Sequence, residues 1–324
     1  MWRSSSSGIF KTLYYLVTEF LGVLGVLITL YLFFTDIINS EAFLEGIRLI
    51  MFGAGIVWVS MFIINVIRVM KVHISEKKRY NREFLKKSTI GYEVGSFWDV
   101  VKKYETEEEL AIIIGVNNRF KLDHNYLNNS SLVHSYISKF SEEQKQGIED
   151  EIPDVLKDKI LDTEADGTPI FEYGSIYVVP RHANIKYETA LLSMCEPSKA
   201  NVPKRFTSER SVLTESFERM FEQMPDIFTN STIVIPLIGT SSSGGHLSHE
   251  EVAKYLISAF ADYSRIKHER LAKRFILSIY DKDIKNNFIN LDEIKRHIDY
   301  ECDNKEFSYS SLKNQLKGIS VEVD

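Results

Sequence analysis

The chain is poor in cysteine, with Cys195 and Cys302 its only two, and neither sits in a zinc-ligand or redox spacing. Both are read as ordinary reduced thiols. Internal repeats and low-complexity segments are absent. The one glycine- and serine-rich stretch has no P-loop lysine, which argues against triphosphate hydrolysis by that route. Basic residues are outnumbered by acidic ones. Lys and Arg number 39 against 45 Asp and Glu, a formal net charge of −6. Lys71, Lys77, Lys78, Arg79, Arg82, Lys86 and Lys87 lie together, so the remainder of the chain is clearly acidic. Phosphate backbones are bound by basic faces, so the acidic remainder argues against nucleic acid as a partner, and none is expected.

What the sequence does have is two long apolar runs near its start. The first spans about 12–35, interrupted only by Glu19, and the second spans 49–67, bracketed by Arg48 and Arg68. A bilayer core of about 30 Å needs about 20 apolar helical residues. Both runs meet that length and predict a two-helix transmembrane hairpin. Arg3 and Lys11 precede the first run, the basic cluster lies just after the second, and the connection from Asp36 to Glu45 is acidic. Lys and Arg favour the cytoplasmic side, which puts both termini there. A signal peptide is the poorer reading, because the apolar region is too long and lacks a small-residue cleavage site. Gly22 and Gly25 share a helix face, and Gly53, Ala54 and Gly55 form a small patch on the second run, as in close helix packing or simply as in membrane helices generally. Glu19 lies either within the hydrocarbon or at the headgroup level.

The predicted organisation is a hairpin over 1–74, a charged helical linker over 75–96 lying against anionic headgroups, and a compact domain over 97–324. In that domain strands and helices alternate. Leu110–Val116, Ser175–Val179, Tyr187–Met194, Thr232–Ile238 and Arg274–Tyr280 read as strands. Ser131–Phe140 reads as a short helix capped by Ser130 or Ser131, and Glu142–Ile160 as a helical region broken by Pro153. Ser208–Met224, Glu250–Arg265 and Leu291–Cys302 read as further helices. The order implies a mixed sheet covered by helices on both faces.

Two segments carry candidate chemistry. In TIVIPLIGTSSSGGHLSHEE, residues 232–251, a buried strand runs into Gly239 and a chain of small residues. Ser248 and Glu251 have capping-box spacing, so a helix starts there. Backbone N–H groups of Gly239, Thr240, Ser241, Ser242, Ser243, Gly244 and Gly245 can wrap a diphosphate without basic side chains. His246 is placed to touch the same ligand. It lies three residues from His249, but no third metal ligand is evident and no metal site is expected. In GVNNRFKLDHNYLNNSS, residues 115–131, Asn117 and Asn118 can bond sugar hydroxyls, Phe120 can stack on a base, and Asp123 can accept from an amine or ribose hydroxyl. The blander identity of this segment is a polar turn with Asx caps. Asp281 and Asp283 follow a strand end and read as turn residues that can also line the cleft.

These segments, in this order, resemble the macro domain, a fold that binds ADP-ribose. IVIPLIGTSSSGGHLSHEE is similar to the macro phosphate loop, and GVNNRF stands where macro domains carry an asparagine-containing first loop. With two apolar runs in front, the chain resembles the membrane-anchored macro-domain effectors of Thoeris antiphage defence. There the first loop has an Asn, a Phe, an Asp and then a Ser before a helix, matched here by Asn117 or Asn118, Phe120, Asp123 and Ser130 or Ser131. The resemblance implies a transmembrane hairpin followed by a macro-like three-layer α/β/α domain. It implies an ADP-ribose derivative as ligand, in the form of ADP-ribose joined to histidine, made from NAD by a TIR-domain partner. It further implies ligand-induced homo-oligomers that disrupt the bacterial inner membrane, with no cofactor. Macro-type hydrolases have a glycine-rich first loop, whereas this chain has Arg119, Phe120 and Lys121, which favours a reader over an enzyme. A membrane-tethered ADP-ribosyl or nucleotide hydrolase is the rival expectation, and a silent anchor that recruits a partner is the third.

Overall fold

The structure is a computed structural model that describes residues 6–37, 41–107, 109–122, 131–180, 185–196, 209–240, 247–267 and 269–304. The chain divides into two units, Met1–Lys77 and Lys78–Asp324.

The first unit holds helix α1 (Ser6–Ile37) and most of helix α2 (Glu41–Lys78). Phe20 stacks on Trp58 with ring centroids 4.1 Å apart and lies 4.7 Å from Phe62, which pairs the helices side by side. The hydroxyls of Thr18, Thr29 and Ser60 donate to the carbonyls of Tyr14, Gly25 and Ile56 one turn back, so each is satisfied inside its own helix. Among the described residues, no helix is long and apolar enough to cross a membrane. The expected transmembrane hairpin over 12–35 and 49–67 therefore draws no support from them.

The second unit is built on a seven-stranded mixed sheet in the order β1-β2-β9-β8-β3-β7-β6, comprising β1 (Arg79–Glu83), β2 (Thr89–Val94), β3 (Leu110–Asn117), β6 (Ile176–Val179), β7 (Glu188–Cys195), β8 (Thr232–Pro236) and β9 (Arg274–Ile279). The five inner strands are mutually parallel, and the edge strands β1 and β6 are antiparallel to their neighbours. A separate two-stranded ribbon joins β4 (Ile160–Thr163) to β5 (Pro169–Phe171). Alternation along the inner strand β3 divides the core. Ala111 and Ile113 of β3 pack toward α6 (Arg210–Phe228), α7 (His249–Lys267) and α9 (Leu291–Asp303), joined by Leu213, Phe221, Phe260 and Ile298. Leu110, Ile112, Ile114 and Val116 pack the other way, toward α3 (Phe97–Tyr104), α4 (Leu132–Ile137) and α5 (Glu142–Val155). A short α8 (Asp281–Lys285) follows β9. Two apolar faces on one sheet require helices on both sides, which is the three-layer arrangement expected.

Two local expectations are corrected. The charged linker over 75–96 is not a continued helix: α2 stops at Lys78, and β1 and β2 form an antiparallel pair on the edge of the sheet. Its charges fit an edge strand because Arg82 pairs with Asp299 and Asp303 of α9, and Tyr80 bonds Asp299. Gly91 permits the pairing, since a side chain there would collide with the Tyr80 carbonyl. Pro153 does not break α5, which continues to Val155. In the last turn a proline removes a single backbone bond, and the Ser141–Gln144 capping box secures the other end.

Candidate functional site

The parallel strands β2, β9, β8, β3 and β7 all end on one edge of the sheet, so the segments after them converge. Crevices beyond such carboxyl ends are where open α/β sheets take ligands.

The segment after β8 turns at once. Ile238 N–H donates to the Pro236 carbonyl at 2.9 Å, and Gly239 follows with φ +90°. A Cβ built on Gly239 would lie 2.9 Å from Leu213 Cδ2 of α6, so a side chain there would have to displace Leu213, and the positive φ itself favours glycine. The Thr240 hydroxyl donates to the Leu237 carbonyl at 3.0 Å and braces the turn. At the far end of the segment the predicted capping box is present. Ser248 N–H donates to Glu251 Oε2 at 2.8 Å, and Glu251 N–H donates to Ser248 Oγ at 3.1 Å. The Ser248 N–H holds the Glu251 carboxyl below the usual carboxylate range. His249 Nε2 lies 3.6 Å from Asp283 Oδ1, and its ring stacks on Phe288 at 5.3 Å. Burial raises the Asp283 carboxyl, and His249 opposes that rise. Asp283 thus borders this segment, as one of its two expected identities required. Ser241, Ser242, Ser243, Gly244, Gly245 and His246 lie outside the described residues.

The segment after β3 differs from its sequence reading. Asn117 is fully buried and its amide is spent on its own loop: Nδ2 donates to the Lys121 carbonyl at 2.9 Å, while Oδ1 accepts from the N–H of Arg119 and of Lys121. It shapes the turn rather than reaching a sugar. Phe120 is 1% exposed, has φ +51°, and packs edge-on against Phe171 at 5.2 Å. Its ring is part of the core, which corrects the stacking role read for it. Asn118 is buried too. Its N–H donates to the Cys195 carbonyl, its carbonyl accepts from Phe171 N–H, and its Oδ1 accepts from Arg119. Ser131 caps α4 by accepting from His134 N–H at 3.1 Å, so of the two expected caps this one is in place. Asp123 and Ser130 lie outside the described residues.

Several groups at this edge left no trace in local sequence. Arg119 pairs with Glu164 of the segment joining β4 to β5, and a cavity of about 320 Å³ opens beside it, walled by Lys121, Glu149, Asp150, Thr168 and Phe171. Tyr173 donates to Glu196 at 2.7 Å just beyond β7. Arg210, the first residue of α6, reaches Glu251 of α7 at 3.3 Å. No group of three or more His, Cys, Asp or Glu side chains placed to hold a metal occurs among the described residues.

The family model described as "Thoeris protein ThsA, Macro domain" matches residues 96–280, more than half of the chain. Among solved structures, the chain is similar to the Oceanobacillus iheyensis macrodomain with MES bound, at 10% identity and a TM-score of 0.43, covering 69% of this chain and 98% of that one. A mutant of the same macrodomain matches at 9% identity and a TM-score of 0.43, over 68% and 95% of the two chains. A second mutant matches at 9% identity and a TM-score of 0.40, over 74% and 94%. No curated protein matches.

Proposed function

Because the chain belongs to the macro-domain family of the Thoeris protein ThsA, we propose that its second unit binds an ADP-ribose-derived signal in antiphage defence. The observation that carries this reading is the turn at Gly239: a bare backbone with positive φ at the end of an inner parallel strand, seated on Leu213 and leading to a capped helix. Main-chain N–H groups there suit a diphosphate. In this reading residues 239–245 hold the diphosphate with His246 beside it. Asn118 and Asp123 hold a ribose or base, while Asn117, Phe120 and Ser131 keep the first loop in shape.

The signal is ADP-ribose joined to histidine, supplied by a TIR-domain partner. The protein is a reader rather than a hydrolase. Its first loop is filled by Arg119, which is tied to Glu164, and by the buried Phe120, leaving no bare glycine turn around a distal ribose. Helices α1 and α2 serve as an inner-membrane hairpin with the second unit and both termini cytoplasmic. The apolar sequence over 12–35 and 49–67 is what suggests that assignment. Signal binding drives homo-oligomers that disrupt the bilayer, which requires tighter binding to the assembled form than to the free one.

Calorimetry on the full-length protein in detergent, with ADP-ribose and its histidine conjugate, tests the reading, with chromatography of the same mixtures for products. Binding without turnover is expected. Turnover assigns the protein to the hydrolases, and failure of both compounds to bind overturns the ligand assignment.

A further inference from the structure

Arg210 and Leu213 lie one turn apart at the start of α6. Leu213 packs against Gly239, so this turn of α6 is seated on the segment after β8. Arg210 lies one turn earlier on the same helix and reaches Glu251, whose backbone N–H and side chain form the cap that closes the same segment. Its ion pair with Glu251 is weak in form: a terminal nitrogen lies 3.3 Å from Glu251 Oε1, long for a charge-assisted bond. Its Nε is buried and has no acceptor among the described residues. Glu251, for its part, does not depend on Arg210. Its other oxygen accepts the Ser248 N–H at 2.8 Å, completing the cap of α7. An under-satisfied guanidinium is thus held at the cleft by a partner whose main bond goes elsewhere.

We propose that Arg210 is an anion-binding residue of this site, whose guanidinium turns from Glu251 to a phosphate oxygen of a nucleoside diphosphate lying at Gly239 and Thr240. The inference rests on the ADP-ribose reading and adds to it a charge that neutral backbone donors cannot supply. A planar guanidinium presents two parallel N–H donors to one phosphate, which satisfies Nε and one terminal nitrogen together. Glu251 competes for the same cation in the empty site and keeps it in place.

The test titrates ADP-ribose into the full-length protein in detergent at low and moderate salt, for the wild type, Arg210→Gln, Arg210→Lys and Glu251→Gln, with melting temperatures recorded alongside. Arg210→Gln should weaken ADP-ribose binding about tenfold or more and flatten its salt dependence. Arg210→Lys should recover part of the loss. Glu251→Gln, whose amide oxygen still accepts from Ser248, should bind at least as tightly as the wild type. A folded Arg210→Gln protein that binds within twofold of wild type overturns the proposal. So do equal losses in Arg210→Gln and Glu251→Gln, which would make the pair a mere tie between helices. A wild type that binds neither ADP-ribose nor inorganic pyrophosphate removes the underlying ligand reading and this assignment with it.

Discussion

Leu213 occupies the space that any side chain at position 239 would need, with its Cδ2 2.9 Å from where a Cβ would stand. Gly239 also has φ +90°, which L side chains rarely adopt. Gly239→Ala should therefore cost about 1–3 kcal/mol of stability and abolish ADP-ribose binding. Adding Leu213→Ala relieves the collision but not the backbone strain, so binding should stay lost. Denaturant melts and calorimetry check both. Restored binding in the double variant would show that space alone dictates the glycine.

Phe120 offers a contrast between two roles. As a core residue packed on Phe171, its change to Ala should cost about 3–5 kcal/mol in chemical denaturation. Below the melting transition, nucleotide affinity should fall no more than in Asn117→Ala, which loosens the same loop. A large affinity loss without destabilisation would return Phe120 to base stacking.

Arg265 sits between two buried carboxylates, Asp262 at 2.6 Å and Glu301 at 3.0 Å, where α7 meets α9. One guanidinium cannot neutralise both. Burial first, and then the Glu301 charge, push the Asp262 carboxyl from its ordinary 3.8 up to about 6. The folded chain thus binds this proton more tightly than the unfolded one. That stabilisation is complete below about pH 3.8 and is lost as pH rises through about 6. The melting temperature of wild type minus that of Asp262→Asn should fall from pH 4 to pH 6 and level off above. A difference independent of pH would refute it.

The hairpin assignment has a direct measurement. Full-length protein should sediment with membranes and resist carbonate extraction, whereas a chain lacking residues 1–74 should not. Carbonate release of the full-length protein would end the membrane reading, leaving the second unit's ligand binding to stand alone.

Much of the second unit was legible because its strands are unusually apolar. LAIIIGV and TIVIP can hardly be anything but buried strands, and they are β3 and β8. The Ser248–Glu251 cap and the Ser131 cap were equally plain, since capping is set by residues three apart. The edge strand β1 was not, because Arg79, Arg82 and Glu83 stand in a charged run, and the reason for Arg82 lies in α9, at the other end of the second unit. Pro153 misled for a different reason: its cost depends on where the helix ends, which composition does not state.

The amino-acid order by itself marked the apolar strands β3, β6, β7, β8 and β9, the turn at Gly239, and the family to which the chain belongs, since each rests on neighbouring residues or on short motifs. Only the tertiary structure decided that Asn117 and Phe120 are spent within their own loop and core, and that Arg210 of α6 meets Glu251 of α7, some forty residues further along the chain. A side chain's partners depend on what the fold brings against it, and packing between α6, α7 and the sheet has no local record in sequence.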